Sequence, residues 1–282
     1  MQAALHSWSF RDKFAHEPGF SLLRALDETA AMGFTAIEIM SGKAQQGCGD
    51  FESFDPMYLD RVTRHARAVG VSIAALSPYN DFAYVADESW RQANIAFIKD
   101  QLRLASDLQI PVIRVMTGYR VDDVPAAQLE QLVVDAFAEC APVAEQVGVT
   151  MALENHSSVL ATAEEILGLL DRIGSPRLST CPDPTNFVYG ALREGATPDM
   201  WERVYAQTAL VAPRAGHAHI KYAGLNADNQ WKGFDLNRLI AIYRDASYDG
   251  PMAIESVRSD DLLAGLAEAR KVLEAAMARP QP

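Results

Sequence analysis

Four strand-like runs, each carrying among its last residues a side chain able to hold a metal ion, constrain this chain more than any other feature. They are Val149-Thr-Met-Ala-Leu-Glu154-Asn-His156, Leu178-Ser-Thr-Cys-Pro-Asp183, Ala215-Gly-His-Ala-His219-Ile-Lys221 and Pro251-Met-Ala-Ile-Glu255. Glu154 to Asp183 is 29 residues, Asp183 to His219 is 36, and His219 to Glu255 is 36. Each gap holds one loop, one helix and the next strand, as a repeated β/α unit requires. In a closed parallel barrel the C-terminal ends of all strands meet on one face, so these four would deliver their side chains to one point. Three carboxylates crowded there with one imidazole are costly unless a cation sits among them.

The rest of the chain fits that frame. Strand-like runs at Leu5–Ser9, Ala36–Met40, Ser72–Leu76, Val112–Met116, Thr150–Glu154, Leu178–Cys181, Ala218–Tyr222 and Met252–Glu255 alternate with segments of helical periodicity such as Ile95, Ile98, Leu102 and Ala105. Gly33, Gly70 and Gly148 stand where helix C-cap glycines belong. No Pro/Gly/Ser-rich linker divides the chain, so residues 1–282 are expected to form a single domain of α/β class, a (β/α)₈ TIM barrel. A Rossmann sheet would need G-x-G-x-x-G after a strand, and neither that nor a phosphate loop is present.

Period-two alternation sorts the strand residues. With Glu154 pointing inward, Thr150 and Ala152 lie below it, Cys181 lies under Asp183, Ala253 under Glu255 and His217 under His219. Lys221 would stand higher, at the rim. His6, Glu38 and Arg114 share the inward parity, which makes a Glu38–Arg114 ion pair an expectation. Trp8, Phe10 and the aromatics of Ser77-Pro-Tyr-Asn-Asp-Phe-Ala-Tyr84 are candidates for a pocket wall, against the alternative of ordinary core packing.

An oxygen-rich set of Glu154, Asp183, His219 and Glu255 suits one hard or borderline divalent ion, with Mn²⁺ or Mg²⁺ leading and Co²⁺ and Zn²⁺ as alternatives. Such an ion, chelated by a carbonyl and an adjacent hydroxyl, would stabilise the ene-diolate left when a neighbouring C–H proton departs. One glutamate would take that proton and the other return it. His156, Asn186 and Lys221 could hydrogen-bond substrate hydroxyls or a developing oxyanion. Arg258 could hold a carboxylate or phosphate, with an exposed surface role as its bland reading.

The net charge of −12 argues against nucleic acid and anionic membranes as partners. Cys48, Cys140 and Cys181 are odd in number and form no C-x-x-C pair, so buried reduced thiols are expected. Neither a signal peptide nor a run of about 20 apolar residues is seen, giving a cytoplasmic expectation. The Asn155-His-Ser157 sequon is read as chance.

The ALENH, DPTN, HAHIK and terminal AIES runs, with Trp8-Ser-Phe-Arg-Asp12, resemble the xylose isomerase-like TIM-barrel family of sugar-phosphate isomerases and epimerases over essentially the whole chain. The resemblance implies that Glu154, Asp183, His219 and Glu255 are metal ligands and that Glu154 and Glu255 move protons from opposite sides of a carbohydrate substrate. It implies a metal-dependent isomerase or epimerase of a sugar, sugar acid or sugar phosphate. A lyase of the same family, acting on a keto-sugar or cyclitol as a dehydratase or a C-glycoside-cleaving enzyme, is the alternative. Epimerases of that family carry a substrate-binding His three residues after the ligand Asp, whereas Asn186 stands here. The family's endonuclease branch needs further histidines, and of the six present His16 and His65 fall in loop and helix. A sugar-binding protein without turnover is a further alternative, and a homo-oligomer is expected by analogy alone.

Overall fold

The computed structural model describes residues 1–43, 47–156, 158–188, 196–257 and 262–279. Arg258 and Ser157 lie outside them. Eight parallel strands run in the order β6-β5-β4-β3-β2-β1-β8-β7. They are β1 Gln2–His6, β2 Ala36–Ile39, β3 Ser72–Leu76, β4 Val112–Val115, β5 Thr150–Glu154, β6 Leu178–Cys181, β7 Ala218–Tyr222 and β8 Pro251–Ser256. The two ends of that order meet through main-chain hydrogen bonds. Gly216 N–H donates to the Thr180 carbonyl at 2.9 Å and His219 N–H to the Pro182 carbonyl at 3.0 Å. The eight strands therefore enclose a barrel.

The helices on its outside are α1 Arg11–His16, α2 Leu22–Ala31, α3 Pro56–Ala68, α4 Glu88–Asp107, α5 Ala126–Val147, α6 Ala163–Ile173, α7 Pro198–Val211, α8 Leu236–Asp245 and α9 Leu262–Ala278. Their starts carry the expected chemistry: Thr162 and Glu165 form a reciprocal capping box on α6, and Asp55, Asp87 and Asp235 accept from first-turn N–H groups of α3, α4 and α8. Gly148 ends α5 in the left-handed region, and Gly33 and Gly70 also take positive φ just past α2 and α3. The main core lies between strands and helices, with Met151, Leu153, Ile220 and Ile254 facing outward into it.

Two clusters of mostly small side chains lie inside the barrel below the polar groups. Ala4, Ala36, Ala74 and Ala253 form one cluster, and Ala75, Val112, Ala152 and Cys181 another. These placements match the inward parity expected for Ala152, Cys181 and Ala253.

Two expectations need correction. The first strand is Gln2–His6 and not Leu5–Ser9; Ser7–Phe10 is a 3₁₀ turn. Gln2 to Leu5 pair in register with Pro251 to Ile254, and the His6 ring accepts from Trp8 N–H, which bends the chain just where the strand was expected to continue. His16 closes α1 and is not in a loop. The cysteines are unpaired as expected; Cys140 and Cys181 are buried, while Cys48 is half-buried. Among the described residues no helix is long and apolar enough to cross a membrane.

Candidate metal centre

Strand register delivers the four expected ligands to one place. One ligand atom from each of Glu154, Asp183, His219 and Glu255 lies within 4.8 Å of the others, and all four residues are buried. Glu154 closes β5, Asp183 follows β6 by two residues, His219 sits in β7 and Glu255 in β8.

Glu154 is the most heavily contacted. Its Oε1 accepts from Asn186 Nδ2 at 3.1 Å and lies 3.3 Å from His156 Nδ1 and 3.4 Å from His219 Nδ1. Its Oε2 lies 3.3 Å from Arg114 Nε. Burial alone would raise this carboxyl, but His156, His219 and Arg114 outweigh it and hold the group well below the usual carboxylate range. In return Glu154 raises the pKa of His156.

Asp183 accepts from Thr185 Oγ1 at 3.0 Å, and the Lys221 ammonium bonds Asp183 Oδ2 and lies 3.3 Å from Glu255 Oε2. Burial opposes the charge on Lys221, yet Asp183 and Glu255 push its pKa upward. The expected rim position of Lys221 is thus corrected: its ammonium reaches into the carboxylate group, because charge attraction outweighs solvation there.

A second correction concerns Glu38 and Arg114. They do not pair: Arg114 turns to Glu154, and Glu38 is enclosed by His217 and His219, whose Nε2 atoms lie 2.7 and 2.8 Å from its Oε2, with Ser77 bonded to Oε1. β4 is hydrogen-bonded to β5, which sets Glu154 beside Arg114, while imidazoles from β1 and the β7 segment surround Glu38. Burial would raise the Glu38 carboxyl, but His219, His6 and His217 hold it well below its ordinary range.

Asn155, which the sequence marks only as part of the sequon, has a structural role. It forms a reciprocal pair with the Asp183 main chain, its Nδ2 donating to the carbonyl at 2.9 Å and its Oδ1 accepting from the amide at 2.8 Å. Both ends of that buried side chain are in use, so it is no glycan acceptor in the folded chain. Its outward parity was the one available hint.

These groups open into a cavity of about 420 Å³ whose polar lining is His6, Arg11, Lys43, Arg114, Glu154, His156, Lys221 and Glu255. Trp8, Met40, Tyr79, Met116 and Val257 line it as well. Of the expected aromatic wall, Trp8 and Tyr79 reach the cavity, while Phe10 and Phe82 are core residues, Phe82 packing edge-on against Phe137. Larger hollows at Trp231–Arg279 and Phe54–Gln109 hold no such convergence of ligand groups. A Cβ on Gly42 would collide with the Gly47 carbonyl, and one on Gly49 with the Met40 carbonyl and the Gly42 backbone, so both positions need glycine; Lys43 beside Gly42 lies over the Tyr79 ring.

The donor set fits a divalent ion. It offers three carboxylates and one imidazole, and the imidazole's inward nitrogen, His219 Nδ1, is buried without a hydrogen-bond partner. Such a nitrogen is costly to leave bare and is oriented like a ligand.

His6 makes one pH effect testable. Burial lowers its pKa to about 3, so it is neutral in the folded chain while the unfolded chain takes up its proton below about 6.5. The unfolded state then binds more protons, and stability falls as pH drops from 6.5 towards 3. His6→Asn, whose amide oxygen can still accept from Trp8 N–H, is expected to flatten that decline by about 1 kcal/mol per pH unit. Urea unfolding of both proteins at pH 6 and pH 4 checks it; equal slopes would show that His6 does not resist charging.

Known proteins share this architecture. The fold is similar to that of D-psicose 3-epimerase from Clostridium cellulolyticum H10 with D-tagatose, with a TM-score of 0.74 and 15% identity over 98% of this chain and 99% of that one. It is similar to the IOLI protein with a bound zinc atom, with a TM-score of 0.68 and 15% identity over 98% of this chain and 96% of that one. In sequence the chain is 29% identical over 200 residues to the C-glycoside deglycosidase alpha subunit of Microbacterium trichothecenolyticum, covering 69% of this chain. The match spans about half of that relative, 48% of its length. The family model described as xylose isomerase-like TIM barrel matches residues 26–276, and the chain belongs to that family.

Proposed function

We propose that this protein is a metal-dependent isomerase or epimerase of a sugar, sugar acid or sugar phosphate. One observation carries the reading: four buried donors from consecutive β/α units, Glu154, Asp183, His219 and Glu255, come within 4.8 Å of one another beside the cavity that Glu154 and Glu255 line, with His219 Nδ1 unpaired. Those four would hold one divalent ion, Mn²⁺ or Mg²⁺ first, with Co²⁺ and Zn²⁺ as alternatives. When bound, the ion supplies Lewis-acid polarisation of a carbonyl, which acidifies the neighbouring C–H. Glu154 and Glu255 line the cavity and are the groups to take up and return the proton. His156, open to solvent on its outer side, and Asn186, which donates to Glu154, can exchange those contacts for substrate hydroxyls. Lys221 supplies a fixed positive charge for a developing oxyanion. The similarity to sugar epimerases supports a carbohydrate substrate.

A second reading has its own support. The cavity also has an apolar lining of Trp8, Met40, Tyr79, Met116 and Val257, beside the cations Arg11 and Lys43 that lie over the Trp8 and Tyr79 rings, and Trp8 and Val257 are among the large hydrophobic residues left exposed. A free sugar does not need that surface, whereas a sugar carrying an apolar aglycone does. With the relation to a C-glycoside deglycosidase subunit, this favours a lyase that begins with the same proton abstraction and then expels the aglycone.

One experiment separates the two. Ketoses, sugar acids, sugar phosphates and keto-glycosides are incubated in D₂O with Mn²⁺, and the products are followed by NMR. Deuterium on carbon in a product of unchanged composition is expected. Release of water or aglycone would assign the lyase, and saturable binding with neither turnover nor exchange would leave only a binding protein.

A further inference from the structure

Glu38 has no place in the ligand set, yet it is entirely buried on β2 beneath it. Its Oε2 lies 2.7 Å from His217 Nε2 and 2.8 Å from His219 Nε2, and Oε1 accepts from the Ser77 hydroxyl and faces His6 Nε2 at 3.7 Å. An ionised carboxylate can only accept, so His217 and His219 both present N–H to it. His6 does the same, because its Nδ1 already accepts from Trp8 N–H at 3.0 Å. Three imidazoles from β1 and the β7 segment thus turn protonated nitrogens towards one side chain. For His219 the consequence is directional: with the proton of Nε2 committed to Glu38, Nδ1 is left on the Glu154 side, 3.4 Å from Glu154 Oε1, and has no hydrogen-bond partner.

We propose that Glu38 is the positioning residue of the metal centre, fixing the ring orientation and tautomer of His219 so that Nδ1 is the ligating nitrogen. This rests on the metal-centre reading above. A carboxylate hydrogen-bonded to the far nitrogen of a ligating imidazole also makes that imidazole a stronger donor. His6, Glu38 and His219 themselves offer atoms close enough to hold an ion. Direct hydrogen-bond separations of 2.7 and 2.8 Å from Glu38 to His217 and His219 argue instead for protons between these groups and for one ion per chain.

The test uses the full chain with Mn²⁺ or Zn²⁺ alone, in competition with a chromophoric chelator. The wild-type protein is expected to bind one ion, and Glu38→Gln to bind it about 10- to 100-fold more weakly. Because a change at a carboxylate buried inside the barrel can prevent folding, a measurement on the wild type stands beside it. In Zn²⁺-loaded protein labelled with ¹⁵N-histidine, His219 should keep a slowly exchanging proton on Nε2 while Nδ1 shows the metal shift. Affinity in folded Glu38→Gln within twofold of wild type, a metal-shifted Nε2, or two ions per chain would each overturn the proposal and leave the metal centre standing. Failure of the wild type to bind any ion would remove the metal-centre reading itself.

Discussion

Glu154→Gln is expected to reduce turnover about 10²- to 10⁴-fold, the range associated with losing a positioned acid or base, while the barrel still folds. The change is isosteric without being neutral. Glu154 meets donor nitrogens on both oxygens, Asn186 and His156 at Oε1 and Arg114 at Oε2. A glutamine offers one acceptor, so its amide nitrogen must confront either Arg114 or the cluster at Oε1. A buried mismatch of that kind costs about 1–3 kcal/mol, which a urea midpoint would register. Circular dichroism and turnover on the substrate identified in D₂O complete the measurement. Wild-type turnover in the folded variant would remove Glu154 from the chemistry.

Much of this architecture was legible because a barrel repeats one simple pattern. Apolar strand, polar end and amphipathic helix recur, and seven strands fall within a residue or two of where alternation puts them. The exception is instructive. Gln2-Ala-Ala-Leu5 carries no β-branched residue and reads poorly as strand, yet its small side chains suit the crowded barrel floor, where Ala4 meets Ala36, Ala74 and Ala253. Propensity yielded to tertiary packing there.

The site was readable to the same depth and no further. Parity correctly turned Glu38, Arg114, Glu154 and His219 inward, but it fixes only the face of a strand. Which inward side chains touch depends on strand neighbours and on reach across the interior. Arg114 finds Glu154 on the adjacent strand, while Glu38 spans the barrel to the histidines of β7, a contact no spacing in the sequence encodes. Asn155 escaped for a different reason: its partner is main chain, and any donor-acceptor side chain of its size would leave the same sequence trace.

Lys221→Met should have opposite effects on the metal-free and metal-bound protein. The ammonium is buried against Asp183 and Glu255, and removing one partner from such a group strands charge, at a cost of about 3–5 kcal/mol to the metal-free fold. The same ammonium competes with any cation those carboxylates bind. Its removal should therefore tighten Mn²⁺ binding, so that saturating Mn²⁺ raises the melting temperature more in the variant than in wild type. Because Lys221 also lines the cavity, KM for the substrate should rise even when metal is saturating. Thermal melts with and without Mn²⁺, beside steady-state kinetics, resolve the three effects. An equal metal-induced shift in both proteins would mean that Lys221 does not compete for the carboxylates. An unchanged KM would confine it to balancing their charge.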